Sequence, residues 1–385
     1  MSTFYRRNVA GKMAVFNGEE VILEETDWYL LDLFRLWWRY GISFIRLQMW
    51  VEEIMEKFMR IYKYQAHGYA FSSVEELPLS DSLLELGVSQ RFIDEVIAPV
   101  MRINYGQNVS IPAFVGAVSL AGAQNNLWAV EGGNKLVCSG LLKMASANLL
   151  QAICTVIHRA CFCNTGEGLQ YQLSFTTATG TASELYDIVV LATPLQASVG
   201  SGVQFQGFTP PFDELPGSYH STVATIVHGY LNTSFFGFPD PRLFPFASVL
   251  TTDTPDLFFN SVASVCPVNI SAGFRRKQPQ EAGVYKVFSP QLLEKSQLKT
   301  LFRSYYSVQV TEWQACPRYS SSQRLPPVEL HPNLYYLNGI EWAGSAMEMS
   351  SVAAKNIALL AYHRWNRQTD MVDQRDLVHR IKTEL

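Results

Sequence analysis

The chain has 385 residues, which is long enough for two or three domains and for a sizeable hydrophobic core. Hydrophobic residues make up 48% of it and charged residues only 17%, a composition that excludes disordered, collagen-like and coiled-coil proteins. The formal net charge of −4 disfavours a nucleic-acid-binding protein, which needs a basic surface. No transmembrane helix is predicted, because the most apolar region, residues 28–50, contains four charged side chains.

The first predicted elements are a β-hairpin and two amphipathic helices. In residues 11–23, Asn17-Gly18 lies between two apolar runs, and this dipeptide is a strong hairpin signal. Apolar residues then repeat at steps of three and four, which predicts a helix that continues to about residue 64 and is broken at Gly41. Its aromatic face can belong to the core, to a pocket wall or to a membrane-surface contact; it includes Trp28, Trp37, Trp38 and Trp50.

The middle of the chain changes from helical to mixed character. Two more helices are predicted in residues 71–105, so that the region 26–125 is mainly helical. A helix over 134–150, a short strand over 153–158 and a half-exposed strand over 169–175 follow. Residues 186–194 form a continuous apolar run that ends at a proline, which is typical of a strand buried on both faces in a parallel sheet.

The C-terminal half is predicted to contain both strands and helices, and it ends in a strand, a glycine-containing turn and a helix. Strands are predicted near 223–231, 248–252, 257–265 and 284–288, with a helix over 290–304. The last elements are a strand over 334–337, a segment with Gly339 and Glu341, and an Ala-rich helix over 347–363. This order directs the helix N-terminus toward a phosphate or a carbonyl group.

Most motifs of known chemistry are absent from the sequence. The seven histidines form no metal-binding pair, so no metal site is predicted. There is no G-x-S-x-G hydrolase motif, no phosphate-binding P-loop and no complete G-x-G-x-x-G. The six cysteines are too few for a disulfide scaffold. Residue patterns alone therefore indicate an α/β protein with apolar pocket potential and assign no catalytic residue.

Three glycosylation sequons begin at Asn108, Asn232 and Asn269. We expect all three asparagines to lie on the surface. The sequons favour a secreted or lysosomal protein, whereas the first eight residues have no hydrophobic signal region.

Three segments together resemble the prenylcysteine oxidase family: VEGGNKLV at 130–137, YDIVVLATP at 186–194 and YYLNGIE at 335–341. Segments 46–53, 64–69 and 361–385 fit as well, so the likeness covers nearly the whole chain. The resemblance implies the α/β fold of a two-domain FAD-dependent oxidase. Such a fold has an amine-oxidase-like FAD domain of the glutathione-reductase type and an α+β substrate domain.

The resemblance also implies an activity. Members oxidise farnesyl- or geranylgeranyl-cysteine with FAD and molecular oxygen, giving cysteine, prenyl aldehyde and hydrogen peroxide in the breakdown of prenylated proteins. The cofactor supplies the chemistry, so no side-chain nucleophile is needed. A non-catalytic isoprenoid- or lipid-binding protein and a flavin amine oxidase stay open as alternatives. The family is lysosomal or secreted, and association with lipoproteins or membrane surfaces stays open.

The resemblance finally assigns residues and segments. By this resemblance, Gly339 and Glu341 lie in the segment that contacts the flavin diphosphate and ribityl chain. The helix whose N-terminus is directed toward the flavin C2 carbonyl begins with Met349, Ser350, Ser351 and Val352. The family's signal peptide and first βαβ unit, with its glycine-rich loop, have no counterpart, so we expect these 385 residues alone to bind FAD poorly. The implied segments are 1–25 (FAD-domain remnant), 26–125 (helical part of the substrate domain), 126–199 (FAD domain), 200–330 (α+β substrate domain) and 331–385 (FAD domain).

Overall fold

The computed structural model describes residues 9, 11–64, 77–122, 129–160, 169–195, 202–212, 217–322 and 325–368. The helices are α1 (Tyr29–Tyr40), α2 (Ser43–Tyr64), α3 (Leu79–Glu85), α4 (Gln90–Phe92), α5 (Ala98–Tyr105), α6 (Ala113–Gly122), α7 (Lys135–Met144), α8 (Lys295–Leu301) and α9 (Met347–Trp365). A π-helical segment, Ile93–Ile97, joins α4 to α5, and short 3-10 helices occur at Thr233–Phe236, Pro241–Leu243 and Asn338–Trp342. Among the described residues, no helix is both long and apolar enough to cross a membrane.

The strands are β1 (Lys12–Phe16), β2 (Val21–Glu24), β3 (Ile153–Ala160), β4 (Gln170–Thr177), β5 (Gly180–Tyr186), β6 (Val189–Leu191), β7 (Gln204–Gln206), β8 (Tyr219–Leu231), β9 (Phe246–Thr251), β10 (Ser261–Ser264), β11 (Gly283–Ser289), β12 (Phe302–Pro317), β13 (Glu329–His331) and β14 (Leu334–Tyr336). Two strands precede helices α1 to α7, and the other strands follow them, with α8 before β12 and α9 at the end. The chain divides into two compact units that interleave in sequence. The first contains 1–51, 77–148 and 220–316, and the second contains 52–76, 149–219 and 317–385. The five-segment division implied by the resemblance stays a prediction.

The first unit is built on a seven-stranded sheet of order β12-β8-β11-β10-β9-β1-β2. The predicted hairpin is confirmed, because β1 and β2 pair antiparallel. The side chain of Asn17 closes its turn by accepting hydrogen bonds from the backbone N–H groups of Glu19 and Glu20 at 2.9 and 2.8 Å. The predicted break between α1 and α2 is also confirmed, since Gly41 ends α1 with a φ of +60°.

The second unit contains a four-stranded sheet, β5-β4-β3-β7, and a three-stranded sheet, β13-β14-β6. In β14, Leu334 and Tyr336 pack in one apolar cluster with Tyr171, while Tyr335 packs in another with Ile357 of α9. Both faces of β14 are therefore buried. It pairs in parallel with β6.

Three predicted elements are wrong in extent or burial. β6 contains only three residues and lies at a sheet edge with Val190 43% exposed, so only one of its faces is buried. The helix predicted over 290–304 is restricted to α8, because the aromatic and β-branched residues that follow form the long strand β12 beside β8. The helix predicted over 134–150 ends at Met144.

Candidate functional site

The candidate site lies in the second unit, where β14 leads through the 3-10 helix Asn338–Trp342 to α9. Gly339 is buried in this turn. A Cβ atom at this position would come within 3.0 Å of Pro326 Cγ and 3.1 Å of Tyr336 Cδ1. A side chain at this position would therefore fit only if these neighbours moved by a few tenths of an ångström. The flavin contact implied for Gly339 stays a prediction.

The carboxylate of Glu341 is the polar centre of the site. Its Oε2 atom accepts hydrogen bonds from the Tyr219 hydroxyl and from Asn338 Nδ2, both at 2.9 Å. Asn338 Nδ2 also donates to the Tyr219 hydroxyl oxygen at 2.7 Å, which closes a three-residue network. No donor among the described residues contacts Glu341 Oε1. One carboxylate oxygen is thus held by the protein and the other is available as an acceptor.

The environment keeps the Tyr219 hydroxyl protonated. Burial, together with the negative charge of Glu341, raises the pKa of Tyr219 far above its ordinary value. The ring of Tyr219 contacts Trp342 edge to face, with centroids 5.9 Å apart. Tyr219 is consequently a fixed donor that orients the Glu341 carboxylate.

A second tyrosine fixes the backbone that leads into α9. The Tyr319 hydroxyl donates to the carbonyl oxygen of Glu341 at 2.8 Å and accepts the backbone N–H of Ser345 at 3.0 Å. These two bonds span the turn between the 3-10 helix and α9. The position of the α9 N-terminus is therefore tied to that of Glu341.

The N-terminus of α9 carries no side-chain cap. Its N-cap residue is Ala346, whose side chain cannot accept a hydrogen bond. The first backbone N–H groups of a helix have no partner within it, and they form the positive end of the helix dipole. An uncapped helix of 19 residues is suited to a carbonyl oxygen or an anion at this end.

The four predicted residues in the first turns of α9 differ in environment. Met349 is buried, Ser350 and Val352 are half-buried, and Ser351 is exposed. The hydroxyl of Ser351 donates to the carbonyl oxygen of Met347 within the helix, and neither serine caps it. Any ligand contact at this end would therefore come from backbone N–H groups.

These features fit the ribityl and ring side of a flavin. Glu341 Oε1 is suited to accept a bond from a ribityl hydroxyl, and the uncapped start of α9 is suited to a flavin carbonyl. Reasoning from the sequence singled out Glu341 but missed Tyr219, Asn338 and Tyr319. Of these, only Asn338 carried a local signal, because it directly precedes Gly339.

The predicted glycosylation residues lie in the first unit. Asn108 and Asn269 are exposed. Asn232 is half-buried, and its Nδ2 donates to the carbonyl oxygen of Thr300 at 2.8 Å. A glycan at Asn232 would need that bond to break, so Asn108 and Asn269 are the better placed acceptors.

The family model and the similar proteins found by comparison all carry prenylcysteine lyase or prenylcysteine oxidase names. The family model described as prenylcysteine lyase matches residues 23–374. A mouse protein named prenylcysteine oxidase 1-like is 59% identical over 397 residues, covering 99% of this chain and 79% of the mouse protein. The human protein of that name is also 59% identical, with 99% and 80% covered. Prenylcysteine oxidase 1 of Pongo abelii is 45% identical over 397 residues, covering 97% of this chain and 77% of that protein.

Proposed function

Because this chain belongs to the prenylcysteine lyase family, we propose that it is an oxidoreductase that cleaves the thioether bond of prenylcysteines. The observation that carries the proposal is the family match over residues 23–374, which includes the whole candidate site. Farnesyl- and geranylgeranyl-cysteine are the substrates we propose. The role is the breakdown of prenylated proteins.

FAD is the cofactor that we propose for the site. When bound, it would take two electrons and a hydrogen from the carbon attached to sulfur and pass them to oxygen, so that prenylcysteine, water and oxygen give cysteine, prenyl aldehyde and hydrogen peroxide. Glu341 Oε1 would accept a ribityl hydroxyl bond, while Tyr219 and Asn338 hold the carboxylate in place. Backbone N–H groups at the start of α9 would stabilise negative charge on the ring system.

We also propose a lysosomal or secreted location, with glycans at Asn108 and Asn269. Support comes from the exposure of both asparagines and from the sequons that they begin.

The test supplies the purified chain with excess FAD and compares S-farnesylcysteine with a primary amine such as benzylamine. The excess FAD offsets the weak affinity expected of these residues alone, and we expect hydrogen peroxide and free cysteine in equal amounts from farnesylcysteine only. Peroxide from the amine alone would support an amine oxidase instead. Binding of farnesylcysteine without peroxide or flavin would contradict the proposal and support a non-catalytic isoprenoid-binding protein.

A further inference from the structure

The seven-stranded sheet of the first unit has one closed face and one open face. The closed face packs in the hydrophobic core with side chains such as Val227, Val249 and Val287. On the other face, five side chains at directly paired positions form what we call the open row: Met13, Ser248, Ala263, Lys286 and Ile226. None of the five is buried, and Met13 is 47% exposed.

The strand register places the open row on one surface. Residues that lie directly opposite each other on neighbouring strands point to the same face of a sheet. Lys286 of β11 lies opposite Ala263 of β10 on one side and opposite Ile226 of β8 on the other. The row continues from Ala263 through Ser248 of β9 to Met13 of β1. At about 4.8 Å between neighbouring strands, it forms a continuous strip roughly 19 Å long.

Lys286 is the single charged side chain of the open row. Among the residues that the structure describes, its ammonium group forms no hydrogen bond and no ion pair. Its Nζ atom lies 4.4 Å from the centre of the Phe288 ring, a cation–π contact that holds the side chain in place. Burial lowers the pKa of Lys286. This half-buried cation is therefore positioned by an aromatic ring and has no counter-ion in the described part of the chain.

The other titratable groups of this face lie at its margins. Glu25 lies beside Met13, where its carboxylate accepts the Met13 backbone N–H at 3.0 Å. Four strand spacings, about 19 Å, separate Glu25 from Lys286, and this exceeds the screening length of about 8 Å at physiological salt. The ring of His228 on β8 contacts Tyr306, with centroids 5.2 Å apart. These groups therefore leave the charge of Lys286 available to a ligand.

The open row is complementary to an apolar molecule that carries one carboxylate. A partly desolvated cation costs free energy without a counter-ion, and a ligand carboxylate would offset this cost with a charge-assisted hydrogen bond. The side chains of Ala263 and Met13 provide apolar surface on one side of Lys286, and Ile226 provides it on the other. A prenylcysteine has both parts, an isoprenoid chain and an amino-acid carboxylate.

We propose that Lys286 binds the carboxylate of the prenylcysteine substrate, and that the isoprenoid chain lies along the open row toward Met13. The assignment rests on the proposed function, which supplies the substrate class. Lys286 is then a substrate-binding residue that selects the free acid over its ester.

The test compares the binding of S-farnesylcysteine and its methyl ester to the full chain by isothermal titration calorimetry. No FAD is added, so neither ligand is turned over. The two ligands share the isoprenoid chain, the thioether and the ammonium group, and they differ in the charge of the carboxyl group. We expect the parent chain to bind the acid roughly 10- to 100-fold more tightly than the ester, the effect of one charge-assisted hydrogen bond.

Substitutions of Lys286 separate its charge from its bulk. Lys286→Met should remove the preference for the acid and leave the affinity for the ester nearly unchanged. Lys286→Arg should retain most of the preference, because it keeps a cation at this position.

A second variant leaves the lysine in place. Ala263→Asp puts a carboxylate directly opposite Lys286, where it should pair with the ammonium group and abolish the preference for the acid. The matched control is Lys299→Met, which removes an exposed lysine on α8 of the same unit and should keep the preference. Circular dichroism checks that every variant is folded.

The proposal is overturned if the parent chain binds acid and ester equally, or if it binds neither. It is also overturned if the preference for the acid survives in folded Lys286→Met. These results are distinct from the oxidase test. A chain that prefers the acid through Lys286 but releases no peroxide would lose the proposed activity and keep this binding site, and peroxide release with equal binding of acid and ester would do the reverse.

Discussion

Replacement of Glu341 by glutamine separates two roles that the geometry gives to this carboxylate. Oε2 holds Tyr219 and Asn338, and Oε1 is available to a ligand. A glutamine amide oxygen can still accept both internal hydrogen bonds, but its nitrogen can only donate. Glu341→Gln therefore retains the network and removes the acceptor that a ribityl hydroxyl would use.

The two effects differ in size. We expect the free energy of unfolding to fall by no more than about 1 kcal/mol, since a neutral acceptor replaces a charged one. Flavin affinity should fall roughly 10- to 100-fold, because one charge-assisted hydrogen bond contributes about 1.5–3 kcal/mol. Glu341→Leu removes the acceptor from two donors, the buried Tyr219 hydroxyl and the Asn338 amide, and should cost about 2–6 kcal/mol of stability.

Urea titrations measure the stability, and quenching of flavin fluorescence measures the affinity. The control is Glu348→Gln, which neutralises an exposed carboxylate in the first turn of α9. The reasoning is refuted if Glu341→Gln binds flavin as tightly as the parent chain. It is equally refuted if the glutamine and leucine variants are destabilised to the same extent.

Three further changes test other parts of the structure. Because the pKa of Glu95 is lowered in the folded state, its contribution is fully present above the ordinary glutamate range and is lost as pH falls below that range and through the lowered pKa. The free energy of unfolding of Glu95→Gln should thus be about 1–3 kcal/mol below that of the parent chain at neutral pH, and the difference should be smaller in acid. Thermal melts at both pH values measure this difference, and an equal difference at the two pH values would contradict the reasoning. When the chain is expressed through the secretory pathway, Asn108→Gln and Asn269→Gln should each reduce the mass that glycosidase treatment removes, whereas Asn232→Gln should not change it. A loss of this mass in Asn232→Gln, with none in the other two variants, would exclude our glycan assignment. Gly339→Ala should cost about 1–3 kcal/mol by overpacking, and unchanged urea unfolding would show that its neighbours can shift freely.

Local signals predicted the elements that depend on neighbouring residues. Asn17 closes its hairpin with bonds to the next residues in the chain, and Gly41 ends α1 through its own φ angle. β12 was not predicted, because a strand is stabilised by the strand beside it, and that partner, β8, is far away in sequence. For the same reason the burial of β6 was overestimated, since its place at a sheet edge is not encoded in its own residues.

The candidate site was predictable only in part. The resemblance identified Glu341, but Tyr219 comes from the beginning of β8, 122 residues earlier, and no spacing in the sequence relates the two. The aromatic face of α1 was identified from the three- and four-residue spacing of its apolar side chains. This spacing alone does not show whether that face is buried or exposed. In the structure the face is exposed, because Asp32 and Arg39 form their hydrogen bonds on the other side of the helix, and the bond of Arg39 to Glu95 is a tertiary contact.

The parallel pairing of β6 with β14 has a consequence for protein synthesis. Residues that pair in this ladder are roughly 145 positions apart, as in Val189 and Leu334. At about 5–20 residues per second, a ribosome needs roughly 7 to 30 seconds between completing one strand and completing the other. During that interval the hydrogen-bonding edge of β6 that later meets β14 has no native partner, and such an edge can pair with other chains. The second unit is therefore completed only after β14 has been synthesised, and its yield in cells depends on how well the nascent chain is shielded until then.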